Sequence, residues 1–95
     1  MATIELRRSH SLPRDEARQR AEELAKSLEE KLGLEWHWNG DDLVFEAPRG
    51  PAKGTKGFVR VAPAEVSVEI DLPFFLRMLK GKVESKVREK LDRLL

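Results

Sequence analysis

The sequence predicts an α+β fold: a two-layer sandwich, β-α-β-β-β-β-α, whose five-stranded antiparallel sheet carries both helices on one face. Three observations predict it. Each strand-length segment alternates between an apolar and a mostly polar face, as strands buried on one side do. Two longer segments instead repeat apolar residues at steps of three and four, each forming one main stripe on a helix. The four later strands follow one another as a meander, so the first strand is expected beside the last, with the terminal helix across the sheet.

Thr3 to Arg8 opens the chain, with Ile4 and Leu6 on one face and Thr3, Glu5 and Arg7 on the other. The Ser9–Pro13 stretch breaks this strand, and Ser11 is the expected N-cap of a helix from Pro13 to Leu32. Ala17, Ala21, Leu24, Ala25, Leu28 and Leu32 form the stripe of that helix, and Gly33 supplies a left-handed stop. Its alanines imply close approach to a neighbour, and Glu16–Arg20 and Glu22–Lys26 are spaced to pair on the outer face.

A hairpin follows. Leu34, Trp36 and Trp38 alternate with Glu35 and His37, Asn39-Gly40-Asp41 turns, and Leu43, Phe45 and Ala47 alternate with Val44 and Glu46. Facing Trp38 with Leu43 also faces Trp36 with Phe45, so the apolar residues share one side. Residues 48–57, rich in Pro, Gly and Lys, have no periodicity and are expected to form a mobile basic loop. In the second hairpin Val59 and Val61 face Val68 and Val66 across Ala62-Pro63-Ala64-Glu65, and Ile70 and Leu72 extend the apolar face.

The last helix is expected from Pro73, whose fixed φ and missing N–H suit a first turn. Leu76, Leu79, Val83, Val87, Leu91 and Leu94 make its stripe, but Phe74 and Met78 fall roughly opposite. Its first turns are thus apolar nearly all round, which one packing surface cannot bury.

Composition limits the function classes. The chain has 95 residues, 40% hydrophobic and 37% charged, which describes one soluble globular domain spanning 1–95. No run approaches the roughly 18 apolar residues of a spanning helix, and the start lacks the apolar core of a secretory signal. Without cysteine there is no disulfide and no thiolate zinc site, and a cytoplasmic address is expected. A net charge of +1 argues against a dedicated nucleic-acid binder. Residues 77–95 nevertheless hold seven basic against three acidic side chains, a local excess of four. A solvated face with the pairs Lys80–Glu84, Glu84–Arg88 and Glu89–Arg93 is the first reading of that excess, and an anionic surface as partner is the second.

The candidate chemistry is sparse. Ser9, His10, Ser11 and Asp15 supply types used in nucleophilic catalysis, but a triad needs convergence in space, which sequence neighbours rarely achieve. His10 and His37, without cysteine and without HxxxH or HxxE spacing on a helix, make no metal site. Gly50, Gly54 and Gly57 are spaced four and three, no Lys-Ser or Lys-Thr follows, and Pro51 removes a donor, so the phosphate-loop pattern fails. Arg49, Lys53, Lys56 and Arg60 remain weak candidates for contact with an anion. Trp36 and Trp38 share their face with Leu34, Leu43 and Phe45 and are read as core; Val44 and Phe58 make a small patch on the outer sheet face.

Phe74, Phe75 and Met78, followed by Lys80 and Lys82, are the candidate contact site. From the residues alone, three readings are ordered: a helix start tucked under the loops, then a homodimer contact, then attachment to a hydrophobic surface.

The sequence resembles the family of small bacterial polyhydroxyalkanoic acid system proteins, also called granule-region proteins. The resemblance covers essentially the whole chain. It rests on Ile4-Glu5-Leu6-Arg7-Arg8-Ser9-His10-Ser11-Leu12-Pro13 with Glu16-Ala17-Arg18 behind it. Trp36 and Trp38 before Asn39-Gly40-Asp41, then Leu43-Val44-Phe45-Glu46, add to it. So does the closing Leu76-Arg77-Met78-Leu79-Lys80-Gly81-Lys82-Val83-Glu84 with Leu91-Asp92. The chain departs from the family at Pro48 to Lys56, which is longer and richer in Pro and Gly.

The resemblance implies an association with polyhydroxyalkanoate storage and brings no catalytic residues and no cofactor. It moves surface attachment forward, because a storage granule is a hydrophobic polymer surface. The expectation is a non-enzymatic accessory protein contacting the granule, a granule-associated protein or a second copy of itself through the terminal helix. The alternative is a carrier or sensor of a small apolar or acyl ligand held between sheet and terminal helix, as in the helix-grip folds that this element order resembles. An enzyme using His10 or His37 as acid–base comes third.

Overall fold

A computed structural model of the protein describes residues 3–95; Met1 and Ala2, the first residues of the start read above as lacking a signal core, lie outside it. The strands are β1 (Ile4–Ser9), β2 (Glu35–Asn39), β3 (Asp42–Glu46), β4 (Lys56–Val61) and β5 (Glu65–Asp71). The α-helices are α1 (Arg14–Leu32) and α2 (Lys80–Leu94), and a 3-10 helix, Phe74–Leu79, leads into α2. The strands form one antiparallel sheet in the order β1-β5-β4-β3-β2. β1 and β2 are therefore opposite edges, and α1, which joins them, must traverse the sheet. The fold is the predicted α+β one.

Register follows the apolar alternation. Trp38 faces Leu43 and Trp36 faces Phe45. Val59 faces Val68 and Val61 faces Val66. β1 lies against β5, with Ile4 opposite Ile70 and Leu6 opposite Val68. A one-residue slip would turn all of these to solvent, which is why the pattern specifies the pairing. Gly40, at φ +64° in the first position of a two-residue loop between Asn39 and Asp42, has the positive φ that a type II′ turn demands there.

The inner sheet face and both helices share one core. Ile4, Leu24, Leu43, Phe45, Val59, Val68 and Val87 are its fully buried large side chains. Each is worth about 1.5–3 kcal/mol relative to exposure. Ala17 and Ala21 approach Val59, Val66 and Leu91 closely, as the small side chains of α1 implied.

Several local expectations are corrected. Pro13, not Ser11, stands at the N-cap of α1, with no side-chain cap, and the first-turn N–H of Ala17 reaches the Pro13 carbonyl. Ser11 is exposed. The C-terminal stop is as read: Gly33 is left-handed at φ 71°, and its N–H donates to the Glu29 carbonyl. Glu22 accepts a hydrogen bond from Trp38 Nε1 at 2.6 Å instead of pairing with Lys26, and no Glu16–Arg20 pair forms. On α2, Arg88–Glu84 and Arg93–Glu89 form, while Lys80–Glu84 does not.

Lys56 and Gly57, assigned to the loop by sequence, begin β4. The segment before them is tied to itself and to the end of β3. Ala47 N–H donates to Thr55 O, Gly54 N–H to Ala47 O, and Thr55 N–H to Ala52 O. Ala52 and Thr55 are buried. The Thr55 hydroxyl is buried without a hydrogen-bond partner.

Two polar clusters bind the layers. Arg14 and Arg18 both reach Asp41 at the β2–β3 turn, at 2.6 and 3.2 Å, and Arg18 also donates to Gly40 O. The hydrogen bond from Arg14 holds the Asp41 carboxyl below the usual carboxylate range. At the other edge, Arg8 of β1 donates to Asp92 of α2 at 2.9 Å.

Candidate functional site

The terminal segment does not begin as an α-helix. Leu72 is buried at the end of the sheet, and Pro73 stands against the loop, where a Cβ at Gly54 would lie 3.2 Å from Pro73 Cβ. The Leu76 N–H donates to the Pro73 carbonyl, a three-residue closure, and the 3-10 geometry continues to Leu79. With three residues per turn, Pro73, Leu76 and Leu79 share one row. Leu76 packs on the core from that row. The other two rows, Phe74–Arg77 and Phe75–Met78, face solvent, with only Phe75 covered in part.

Phe74 is 88% exposed, Met78 87%, Phe75 58% and Leu79 44%. The reading of this cluster as tucked under the loops is therefore overturned: no loop reaches over it, because residues 48–55 fold back on Ala47 and Pro73. These four are also the exposed large hydrophobic residues among those described. Isolated exposed apolar side chains are ordinary, whereas four on six consecutive residues make a patch. Arg77, Lys80 and Lys82 border it, all exposed, and residues 72–83 contain no acidic side chain. The patch is apolar with a positive margin.

The four weak anion-contact candidates are not brought together. Arg49 pairs with Glu35 at 3.6 Å. Arg60 donates to both carboxylate oxygens of Asp42 and lies over the Phe58 ring, 5.0 Å from its centroid. Lys56 stands in register between Glu46 and Asp71. Lys53 is exposed on the loop.

The residues weighed for catalysis serve the fold or face solvent. His10 Nε2 donates to Ala62 O at 2.8 Å and Nδ1 accepts from the Leu12 N–H, which sets the tautomer. Ser9, Ser11, Asp15 and His37 are exposed. Trp36 and Trp38 pack on the core as read, each with part of its surface in solvent.

Three hollows bear on ligand binding. The outer sheet face bears a hollow of about 800 Å³ in which Val44 and Phe58 lie among Glu35, Glu46, Glu69 and Asp71. Between the inner sheet face and the end of α2 the free space is about 10 Å³, the size of a single water and not of an acyl ligand. A groove of about 290 Å³ lies between α1 and α2. The sequence signal for it is the row Lys82, Lys86 and Lys90, at four-residue steps beside Val83 and Val87, within the basic stretch read first as a solvated face and second as contact with an anionic surface.

Among protein-family models, the one described as "Putative polyhydroxyalkanoic acid system protein" matches residues 4–95. No curated protein and no solved structure matches the chain.

Proposed function

The chain belongs to the polyhydroxyalkanoic acid system protein family, and from that membership we propose a non-enzymatic accessory protein that binds the surface of polyhydroxyalkanoate granules. The observation that carries the proposal is the exposed 3-10 helix. Phe74 and Met78 are nearly fully solvated, with Phe75 and Leu79 beside them and Lys80 and Lys82 at the margin. Burying Phe74 and Met78 in an apolar phase supplies about 1.5–3 kcal/mol each. Lysines at the margin of an apolar patch are a combination typical of interfacial attachment. The partner is the granule polymer or the apolar face of a granule-bound protein, and the protein's place is at that boundary. Against the acid–base role weighed for His10, its two ring nitrogens are both occupied by the backbone.

The test mixes purified protein with native granules and sediments them, beside a Phe74→Ser/Met78→Ser variant whose fold is checked by circular dichroism. Sedimentation of wild type alone is expected. Co-sedimentation of both, or of neither, overturns the proposal. Analytical ultracentrifugation of wild type and variant separates a self-contact from a granule contact, since only a dimer through this patch would dissociate on substitution.

A further inference from the structure

We infer that the groove between α1 and α2 is a binding site for a single-chain anionic amphiphile, an alkyl carboxylate. This rests on the packing of the two helices and the charges between them, and shares with the exposed 3-10 patch only Leu79 and the marginal Lys82. The two helices meet closely where Ala17 and Ala21 face Leu91 and Leu94, leaving only about 10 Å³. Toward the other end of the pair, between Leu24–Leu32 of α1 and Leu79–Lys90, the space opens to about 290 Å³. This is a wedge, closed at the alanine end. Its floor is Leu24, Leu28 and Val87, all buried, and its walls are Leu32, Leu79 and Val83.

The rim supplies the charge argument. Lys31 comes from α1, and Lys82, Lys86 and Lys90 come from α2 at four-residue steps. No acidic residue lines the groove. Every ion pair among the described residues uses arginine, so these four ammonium groups have no carboxylate partner. An apolar floor under unpaired cations is complementary to an alkyl chain with an anionic head. The volume stands at the lower end of the roughly 300–1,000 Å³ of small-ligand clefts. The groove is an open site on the side of the helix pair, whereas the space beneath the end of α2 is only about 10 Å³. The larger hollow on the outer sheet face has four carboxylates against one lysine, Lys56, and so suits the same ligand less well.

The experiment titrates the full chain with decanoate below its micellar concentration, with decyltrimethylammonium and acetate as probes of chain and charge, and follows backbone amide shifts by NMR. Saturable decanoate shifts are expected at Ser27, Leu28, Val83 and Val87, with acetate silent. The cationic amphiphile, and decanoate against a Lys82→Glu/Lys86→Glu variant, should each bind about tenfold more weakly, the loss of one charge-assisted contact. Equal binding of both head groups, an unaffected double variant, absence of decanoate binding, or shifts confined to Phe74–Met78 overturns the inference. None of these outcomes alters the sedimentation expected of wild-type protein with granules, so the two readings fail separately.

Discussion

Phe45 of β3 faces Gly57 of β4, and its ring fills the space that a side chain at Gly57 would need. A Cβ there would lie 2.9 Å from Phe45 Cζ and 2.1 Å from the carbonyl oxygen of Glu69 on the neighbouring strand. The second contact is with backbone, which cannot rotate away. Gly57→Ala is therefore expected to destabilise the protein by about 1–3 kcal/mol, the usual cost of overpacking. Gly81→Ala, in the first turn of α2 with nothing within 4 Å of the new Cβ, is the control. It should stabilise by up to about 1 kcal/mol. Denaturant melts of the two variants test the pair; equal effects would contradict the geometry.

The Arg18 guanidinium lies 3.8 Å from the centroid of the Trp38 ring, whose Nε1–H donates to Glu22. α1 is thereby tied to the edge strand β2 by a stacked cation and a hydrogen bond. A double-mutant cycle of Arg18→Ala with Trp38→Leu should return a coupling of about 0.5–1 kcal/mol. Additive losses would show that the stacking contributes nothing in solution.

Asp41 carries a pH signature. Its carboxyl is held below the ordinary value near 3.8 by the hydrogen bond from Arg14, and the charges of Arg14 and Arg18 act in the same direction. A lowered carboxylate pKa stabilises the fold above the unfolded-state value, and that stabilisation is lost as pH falls through the folded-state value. The stability difference between wild type and Asp41→Asn should thus be constant at neutral pH and shrink below about pH 4. Because the group is solvent-exposed, the difference should also fall with added salt. A difference that persists unchanged at pH 2 would refute the assignment.

Thr55 is 2% exposed, and its hydroxyl makes no hydrogen bond. Thr55→Val keeps the shape and removes an unpaired buried polar atom, so it should raise stability by about 1 kcal/mol. A drop in the thermal midpoint would mean that the hydroxyl has a partner in solution.

Much of the fold was legible because it depends on local pattern. Alternation placed Trp36 with Phe45 and Val59 with Val68, since a strand with one buried face has a single register that hides its apolar set. The stop at Gly33 was legible for a similar reason: the left-handed conformation is local. The helix start was not. Ser11 had the right chemistry, but His10 turns the chain by bonding Leu12 and Ala62, and the helix begins only after Pro13. That hydrogen bond spans 52 residues and leaves no mark on the local sequence.

The candidate surface divides in the same way. By itself the sequence determined the sheet, the two helical stripes, the storage-family resemblance and the excess of apolar residues at Phe74–Met78, because each is written in residue type and spacing. Only the tertiary structure decided that this excess lies in solvent and not under a loop: residues 48–55 close on Ala47 and Pro73, and a three-residue helical repeat turns Leu76 inward while leaving Phe74 and Met78 outside. The groove was likewise settled by packing. Alanines draw α1 and α2 together at one end, leucines and valines hold them apart at the other, and four lysines from both helices gather over the gap. Spacing along one chain reports which side of a helix a residue occupies, but the distance to the next helix depends on side-chain volumes brought together from separate segments.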